Sequence, residues 1–176
     1  MSKKNIFIVP AIGEDDLKGF EVQCLKFDNG NNNCIITGNV HDSIAELVYI
    51  SLSIIRGNDI YFNLNNENLN NFDYHIHYTD TDIFKEGSSA GVATFLSIAN
   101  SIKKIRGNLK IYATGEIDIY GNIHEVGGIK EKIEFFNKID ADIFFIPNCS
   151  ISFKEQQRIK KVSNVFEILS VLNNGG

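Results

Sequence analysis

The stretch EGSSAGVATFLSIA, residues 86–99, places two adjacent serines between glycines where an apolar helical pattern begins. Apolar residues recur at helical spacing from Val92 onward, which predicts a helix over residues 89–106. A helix start exposes unpaired N–H groups and the positive end of the helix dipole, a suitable place for an oxyanion. The commoner role of Ser88 or Ser89 here is to cap the helix. Taken alone, the stretch favours capping, because a serine nucleophile also needs a base.

The length and composition of the chain limit the classes of protein and partner that fit it. A length of 176 residues suits a single domain, and a net charge of −5 argues against nucleic acid and anionic membranes as partners. No apolar run reaches the roughly 18–20 residues of a membrane helix. Three widely spaced cysteines without a CxxC pair are typical of reduced thiols in a cytoplasmic protein and argue against a zinc site. We expect no metal and no cofactor.

Hydrophobic periodicity on both sides of the quoted stretch alternates between the strand and helix patterns. Strands are expected at residues 6–12, 20–27, 34–37, 73–78, 109–113, 117–119, 123–126 and 142–146. Helices are expected at residues 42–56 (with a Ser43–Glu46 capping box), 89–106, 129–138, 153–161 and 167–172, with an extended piece at 165–166. Asparagine-rich segments at 28–34 and 63–71 are interpreted as loops, the first as a hairpin turn. Strands first and helix–strand alternation later predict one α+β domain.

Histidine is the usual base for a serine nucleophile. His75 and His77 lie two apart on a predicted strand and therefore face the same way. Such a pair can hold a metal, but no acidic or cysteine partner lies at ligand spacing. Half-buried strand histidines with hydrogen-bonded ring nitrogens are the commoner case. His41 and His124 fall in predicted turns and stay unassigned.

A neutral lysine is the other candidate base, because burial or a nearby helix N-terminus lowers a lysine pKa. Lys130 follows Gly127 and Gly128 in the first turn of the helix predicted over residues 129–138, where a cation is disfavoured. Glu131 and Glu134 could equally neutralise it on a solvated face. The position of Lys130 alone does not decide whether it is a neutral base or a solvated cation.

EGSSAG (86–91) together with ATGEIDIYGNIHEVGGIKEK (113–132) resembles the proteolytic domain of the Lon family of serine peptidases. That family carries a DGPSAG-type serine motif followed by a TGE…G…GG(I/L)KEK block. The likeness extends from about residue 34 to the C-terminus and includes ITGNVHDSIAELVYISLSIIR and DYHIHYTDTDIFKEG. It implies an α+β fold of the ribosomal protein S5 domain 2-like superfamily and endopeptidase activity through a Ser–Lys dyad.

Carried over by position, the resemblance implies Ser89 as the nucleophile, Lys130 as the general base and Thr114 as the residue that hydrogen-bonds the lysine. It implies oxyanion donors among the backbone N–H groups of residues 86–89. Glu86 and Ser88 stand where the family has Asp and Pro, and we count both as supporting residues. Serine lacks the fixed φ of proline, so we expect a more mobile loop.

The resemblance also implies a polypeptide substrate and a homo-hexameric ring, although the composition is equally compatible with a monomer. The chain holds no GxxxxGK(S/T) phosphate loop, so residues 1–176 are expected to be a single proteolytic domain without an ATPase domain. We expect hydrolysis without ATP, by a stand-alone peptidase rather than an excised domain, with a separate ATPase or targeting protein as a conceivable partner. Two alternatives stay open: a non-catalytic assembly or binding module of the same fold, and a signalling protease dedicated to one partner.

Overall fold

The computed structural model describes residues 4–13, 16–62, 64, 71–153 and 157–174. The strands are β1 (Ile6–Ile12), β2 (Leu17–Asp28), β3 (Cys34–Thr37), β4 (Phe72–Tyr78), β5 (Lys110–Ala113), β6 (Glu116–Ile117), β7 (Ile123–His124), β8 (Ile143–Pro147) and β9 (Ile159–Val162). The helices are α1 (Asp42–Arg56), α2 (Gly91–Ile102), α3 (Ile129–Phe136) and α4 (Val165–Asn174), and a 3-10 turn (Ser88–Ala90) leads into α2.

Seven of these strands form one sheet in the order β3-β4-β2-β1-β5-β8-β9, and β6 pairs with β7 in a separate ribbon. The β1–β2 and β2–β4 pairs are antiparallel, and the other pairs of the large sheet are parallel. β1 lies at the centre because its apolar run IFIVPAI can be buried on both faces. Phe7 and Val9 pack into the core that contains α1, α2 and α4, whereas Ile8 packs into a second core against α3. The fold is the expected α+β domain.

Helix α2 is buried at every position from Gly91 to Ala99. Such a helix has no solvated face, so its position is set by packing on all sides. Phe95 is fully buried, and its truncation to alanine would cost about 3–5 kcal/mol of folding free energy. Packing therefore holds the N-terminal end of α2, with the two serines before it, in one place. Within the described ranges, no helix combines the length and apolar character needed to cross a bilayer.

Local periodicity predicted β1, β3 and α1 with their observed bounds. Helix α2 is shorter than predicted, because the backbone of Lys103 is extended and its ammonium donates to the Tyr61 carbonyl at 2.8 Å. The N-cap of α1 is His41, whose Nδ1 accepts from the Ser43 N–H at 3.2 Å. The predicted capping box was therefore wrong in its N-cap residue.

The predicted hairpin turn at residues 28–34 was also wrong. β3 pairs with β4 in parallel and not with β2, so the asparagine-rich segment crosses the end of β4. Asp73 Oδ1, on β4, accepts the N–H groups of Asn31 and Asn33, each at 2.8 Å. The segment is thus a crossover held by this carboxylate together with backbone hydrogen bonds to Asn71 and Tyr74. Most of the predicted 63–71 loop lies outside the described residues.

The helix predicted at residues 153–161 was wrong at its C-terminal end, because Ile159–Val162 form strand β9. β9 pairs in parallel with β8, which buries Ile159 and Val162 at the edge of the sheet. The backbone of residues 165–166, predicted as extended, belongs to α4. Residues 154–156 of the predicted helix lie outside the described residues. Pairing with a strand distant in sequence overrode the local preference.

Candidate active site

Ser89 lies in the 3-10 turn that leads into the N-terminal end of α2 and is half-buried. Gly87, just before the turn, has φ 88° and ψ 165°, a conformation that L side chains rarely adopt. Among the described contacts, neither serine caps a helix with its side chain, since the N-cap positions are Gly87 for the turn and Ala90 for α2. Capping, the simplest interpretation of EGSSAG, is not what these serines do.

The backbone of Ser89 is fixed to the end of β5. Its carbonyl accepts the Gly115 N–H at 3.1 Å and the Thr114 hydroxyl at 3.4 Å. The Val92 N–H donates back to the Gly115 carbonyl at 3.2 Å. A Cβ on Gly91 would lie 2.9 Å from that same carbonyl oxygen, so the close approach requires glycine. Thr114 and Ser89 therefore lie together, as the resemblance implied.

Lys132 is the lysine that contacts Thr114. Its Nζ donates to Thr114 Oγ1 at 3.1 Å, and the residue is 3% exposed. Burial lowers the pKa of Lys132 to about 8, against a smaller opposing effect of the Glu131 carboxylate. Thr114 is itself fully buried, and its N–H donates to the Phe145 carbonyl on β8 at 3.1 Å. One hydroxyl thus contacts both the Ser89 main chain and the Lys132 amine.

Lys130, which the resemblance implied as the base, is not the lysine that bonds Thr114. Lys130 is exposed on the first turn of α3. Two helical positions correspond to a rotation of about 200°, so Lys130 and Lys132 project from nearly opposite faces. The sequence carried the signal that was missed: the buried residues of α3 are Ile129, Lys132, Ile133 and Phe136, which follow helical spacing. The apolar stripe of the helix therefore includes Lys132 and excludes Lys130.

The two supporting residues have different environments. The Ser88 hydroxyl donates to Glu116 Oε2 at 2.7 Å, which ties the turn to β6 at the position where the family has proline. Glu116 was not singled out from the sequence, although it stands two residues after Thr114. Glu86 is exposed, and its side chain borders the groove described below.

A second tether joins the turn to the start of α1. The Gly87 N–H donates to Ser43 Oγ at 3.2 Å, and that hydroxyl lies 3.1 Å from His41 Nδ1. The His41 ring meets Phe84 edge-on, with ring centroids 6.1 Å apart. Because Ser43 occupies the Gly87 N–H, that group is not a free donor for an oxyanion. The N–H groups at the start of the turn, on Ser88 and Ser89, fit that role better.

A groove of about 650 Å³ opens beside Ser89. It runs between the β1–β2 hairpin and the segment at residues 80–86. Lys85 fixes this segment: its Nζ donates to the carbonyls of Gly38, Asp80 and Ile83 at 2.9, 2.7 and 2.9 Å. Burial lowers the pKa of Lys85, partly offset by the Asp80 carboxylate.

His75 and His77 lie on the opposite face of β4 from its buried side chains. Thr37 Oγ1 lies 3.0 Å from His75 Nε2 and 2.8 Å from His77 Nδ1, so both rings are half-buried and hydrogen-bonded, which confirms the commoner of the two interpretations. His124 contacts Asp118 Oδ2 at 3.0 Å. In the part of the chain that the structure describes, no three metal-ligating side chains cluster.

Comparison with known proteins assigns the class of this domain. Residues 12–172 match the family model described as the Lon protease (S16) C-terminal proteolytic domain. The chain therefore belongs to the Lon protease family, as its proteolytic domain, and the resemblance read from the two motifs is confirmed.

Individual relatives agree with the family model. The chain is similar to the Lon protease of Rickettsia prowazekii, 31% identical over 156 residues, which cover 84% of this chain and 20% of the relative. It is also similar to the Lon protease of Aster yellows witches'-broom phytoplasma, 31% identical over 159 residues, 90% of this chain and 20% of the relative. The Lon protease of Parabacteroides distasonis is 37% identical over 100 residues, 56% of this chain and 12% of the relative. The chain spans about one fifth of the length of the first two.

Proposed function

We propose that this domain is a serine endopeptidase in which Ser89 is the nucleophile and Lys132, not Lys130, is the general base. The observation that carries the proposal is the hydrogen bond from Lys132 to the Thr114 hydroxyl, which in turn contacts Ser89. A lysine acts as a base only in its neutral form, and burial favours that form by lowering the pKa of Lys132. A purely structural module would gain no stability from an amine in that position, because burying a charge is costly.

The chemistry follows from these positions. A neutral Lys132 amine keeps N–H bonds for Thr114 and has a lone pair free to accept the Ser89 hydroxyl proton. The serine oxygen attacks the scissile carbonyl, and the N–H groups of Ser88 and Ser89 stabilise the oxyanion. As the C–N bond breaks, the lysine ammonium returns its proton to the leaving amine. Water then hydrolyses the acyl ester with Lys132 again as base, which releases the acid and restores the serine.

The supporting residues hold the turn. Thr114 orients the lysine amine, as the third member does in a triad. The Ser88–Glu116 hydrogen bond offsets the loss of the proline that the family has at this position. Glu86 borders the substrate groove and takes no part in proton transfer.

The substrates we propose are polypeptides, hydrolysed without ATP by this chain, since its sequence has no phosphate loop. That residues 1–176 act as a single proteolytic domain is part of the same proposal. A separate ATPase or targeting partner, a homo-hexameric ring and a cytoplasmic location stay predictions from the resemblance and the thiols. A size measurement at micromolar concentration distinguishes the hexamer from the monomer.

Incubation with casein, with and without ATP, tests the function. We expect cleavage in both conditions, loss of cleavage for Ser89→Ala and retention for Ser88→Ala. Labelling by a fluorophosphonate provides a readout that does not depend on substrate choice. Absence of labelling at alkaline pH would favour the non-catalytic module, and cleavage of a single protein out of many tested would favour the dedicated signalling protease.

A further inference from the structure

The groove beside Ser89 has apolar walls that face solvent. Ile12, at the end of β1, is 56% exposed on one side, and Phe84 is 55% exposed on the other. Phe20 and Ile44 lie buried between them. Exposed apolar side chains on both walls of a concave surface are a site for an apolar group of a ligand.

The same groove is bordered by carboxylates. Asp16, Asp80, Asp82 and Glu86 all line it and all are exposed. Among the described residues, none of these four forms a salt bridge. Lys18 is the one exposed cation among the described groove residues, so negative charge predominates.

Lys85 offsets this negative border only in part: its buried ammonium is bound by three carbonyls, and Asp80 is the one carboxylate that acts on its pKa. Two of those carbonyls belong to Asp80 and Ile83, so the lysine holds the backbone on either side of Asp82. The Asp80 and Asp82 carboxylates are therefore carried on a fixed backbone. A fixed charge gives more discrimination between ligands than a mobile one, because less ordering is needed on binding.

We propose that the groove selects cationic peptide segments, in which an apolar side chain lies between Ile12 and Phe84 and lysine or arginine residues meet the Asp80 and Asp82 carboxylates. The inference rests on the proposed function for the position of the scissile bond, and it names the substrate class. Charge complementarity favours this occupant over an acidic or neutral apolar segment. The attraction acts through partly solvated charges and therefore weakens as salt screens it.

Three fluorogenic peptides of equal length test the preference. Each has the same central apolar residue, flanked by lysine, glutamine or glutamate. We expect kcat/KM for the lysine peptide to exceed that of the glutamate peptide by about tenfold or more at low salt, and the ratio to fall toward one near 1 M salt.

The double variant Asp80→Asn/Asp82→Asn assigns the preference to these residues. Asparagine keeps the backbone carbonyl that Lys85 binds and tolerates the φ of 62° at residue 80, so the wall is preserved. We expect the lysine-to-glutamate ratio to fall at least threefold, with the loss greatest for the lysine peptide. The matched control, Glu134→Gln/Asp140→Asn, removes two exposed charges that do not line the groove and should leave the ratio unchanged.

Binding separates this inference from the proposed function. Fluorescence anisotropy on Ser89→Ala measures the affinity for the same peptides without turnover. Tighter binding of the lysine peptide supports the groove inference even if the wild-type chain cleaves nothing. Equal affinity for all three peptides, or an equal effect of the double variant on all three, overturns it even if fluorophosphonate labels Ser89.

Discussion

The amine of Lys132 donates to the hydroxyl of Thr114 at 3.1 Å, across the contact between α3 and the end of β5. Thr114 also contacts the carbonyl of Ser89, so one buried hydroxyl links the two ends of the proposed dyad. Lys132 belongs to the buried stripe of a helix that otherwise packs Ile129, Ile133 and Phe136. The same packing that stabilises α3 therefore removes the lysine from water and lowers its pKa.

The pH dependence of kcat/KM follows from the lowered pKa of Lys132. With a pKa of about 8, the amine is mostly protonated at pH 6 and mostly neutral at pH 9. Activity should rise about tenfold per pH unit below pH 8 and level off above it. Peptide cleavage measured between pH 6 and pH 10 checks this, and a profile that is flat from pH 6 would exclude Lys132 as the base.

Lys132→Met should abolish cleavage and stabilise the fold. The folded-state pKa lies below the unfolded value, so below pH 8 the fold carries the full cost of a buried charge, and that cost declines as pH rises toward the unfolded pKa. Methionine removes it, and we expect a gain of about 1–3 kcal/mol in the free energy of unfolding at pH 7.

The matched variant Lys130→Met should change neither cleavage nor the free energy of unfolding much. Lys130 is exposed, and an exposed substitution alters stability by less than about 0.5 kcal/mol. Urea unfolding and peptide cleavage measure both variants. Lost activity in Lys130→Met with retained activity in Lys132→Met would restore the original assignment.

Thr114 is predicted to position the lysine through its hydroxyl. Thr114→Val keeps the shape of the side chain but leaves the Lys132 amine without its acceptor. We expect a loss of about 10–100-fold in kcat with a destabilisation of about 1–3 kcal/mol. Thr114→Ser retains the hydroxyl and should recover most of kcat. Full activity in Thr114→Val would show that the hydroxyl does not position the lysine.

Ser43 is predicted to hold the turn before the nucleophile through the Gly87 N–H. Ser43→Ala releases that N–H, so we expect kcat to fall about 3–10-fold with little change in KM, equivalent to about 1 kcal/mol for one hydrogen bond. Ser43→Thr should restore activity. Ser53→Ala is the control on the same helix, since its hydroxyl bonds only the Tyr49 carbonyl among the described residues. A KM effect without a kcat effect would place Ser43 in substrate binding instead.

The parts of the fold that depend on local pattern could be predicted from the sequence, and those that depend on distant pairing could not. The continuous apolar run of β1 predicted a strand buried on both faces, and the single apolar stripe of α1 predicted a helix. β9 was predicted as helix because only its pairing with β8 buries Ile159 and Val162. The asparagine-rich crossover was taken for a hairpin because nothing in its own residues shows that β4 lies between β2 and β3.

The motifs of the candidate site could be predicted from the sequence, and helical spacing in α3 distinguishes the buried Lys132 from the exposed Lys130. Ser89 and Thr114 were named from the two motifs, and the structure brings them into contact. The resemblance pointed to the GGIKEK block at residues 127–132, and we named its first lysine, Lys130, whereas burial depends on the helical face. Ser43 and Glu116, which tether the turn, are far from Ser89 in sequence, and the patterns that contain them do not indicate contacts with the turn.

The rate at which a fluorophosphonate labels Ser89 between pH 6 and pH 10 tests the dyad without any choice of substrate. For the wild-type chain and for Lys130→Met, we predict that the rate rises with pH through a midpoint near 8, the pKa of Lys132. For Lys132→Met, we predict a slow rate without that midpoint. Wild-type labelling kinetics in Lys132→Met would contradict the assignment of Lys132 as the base.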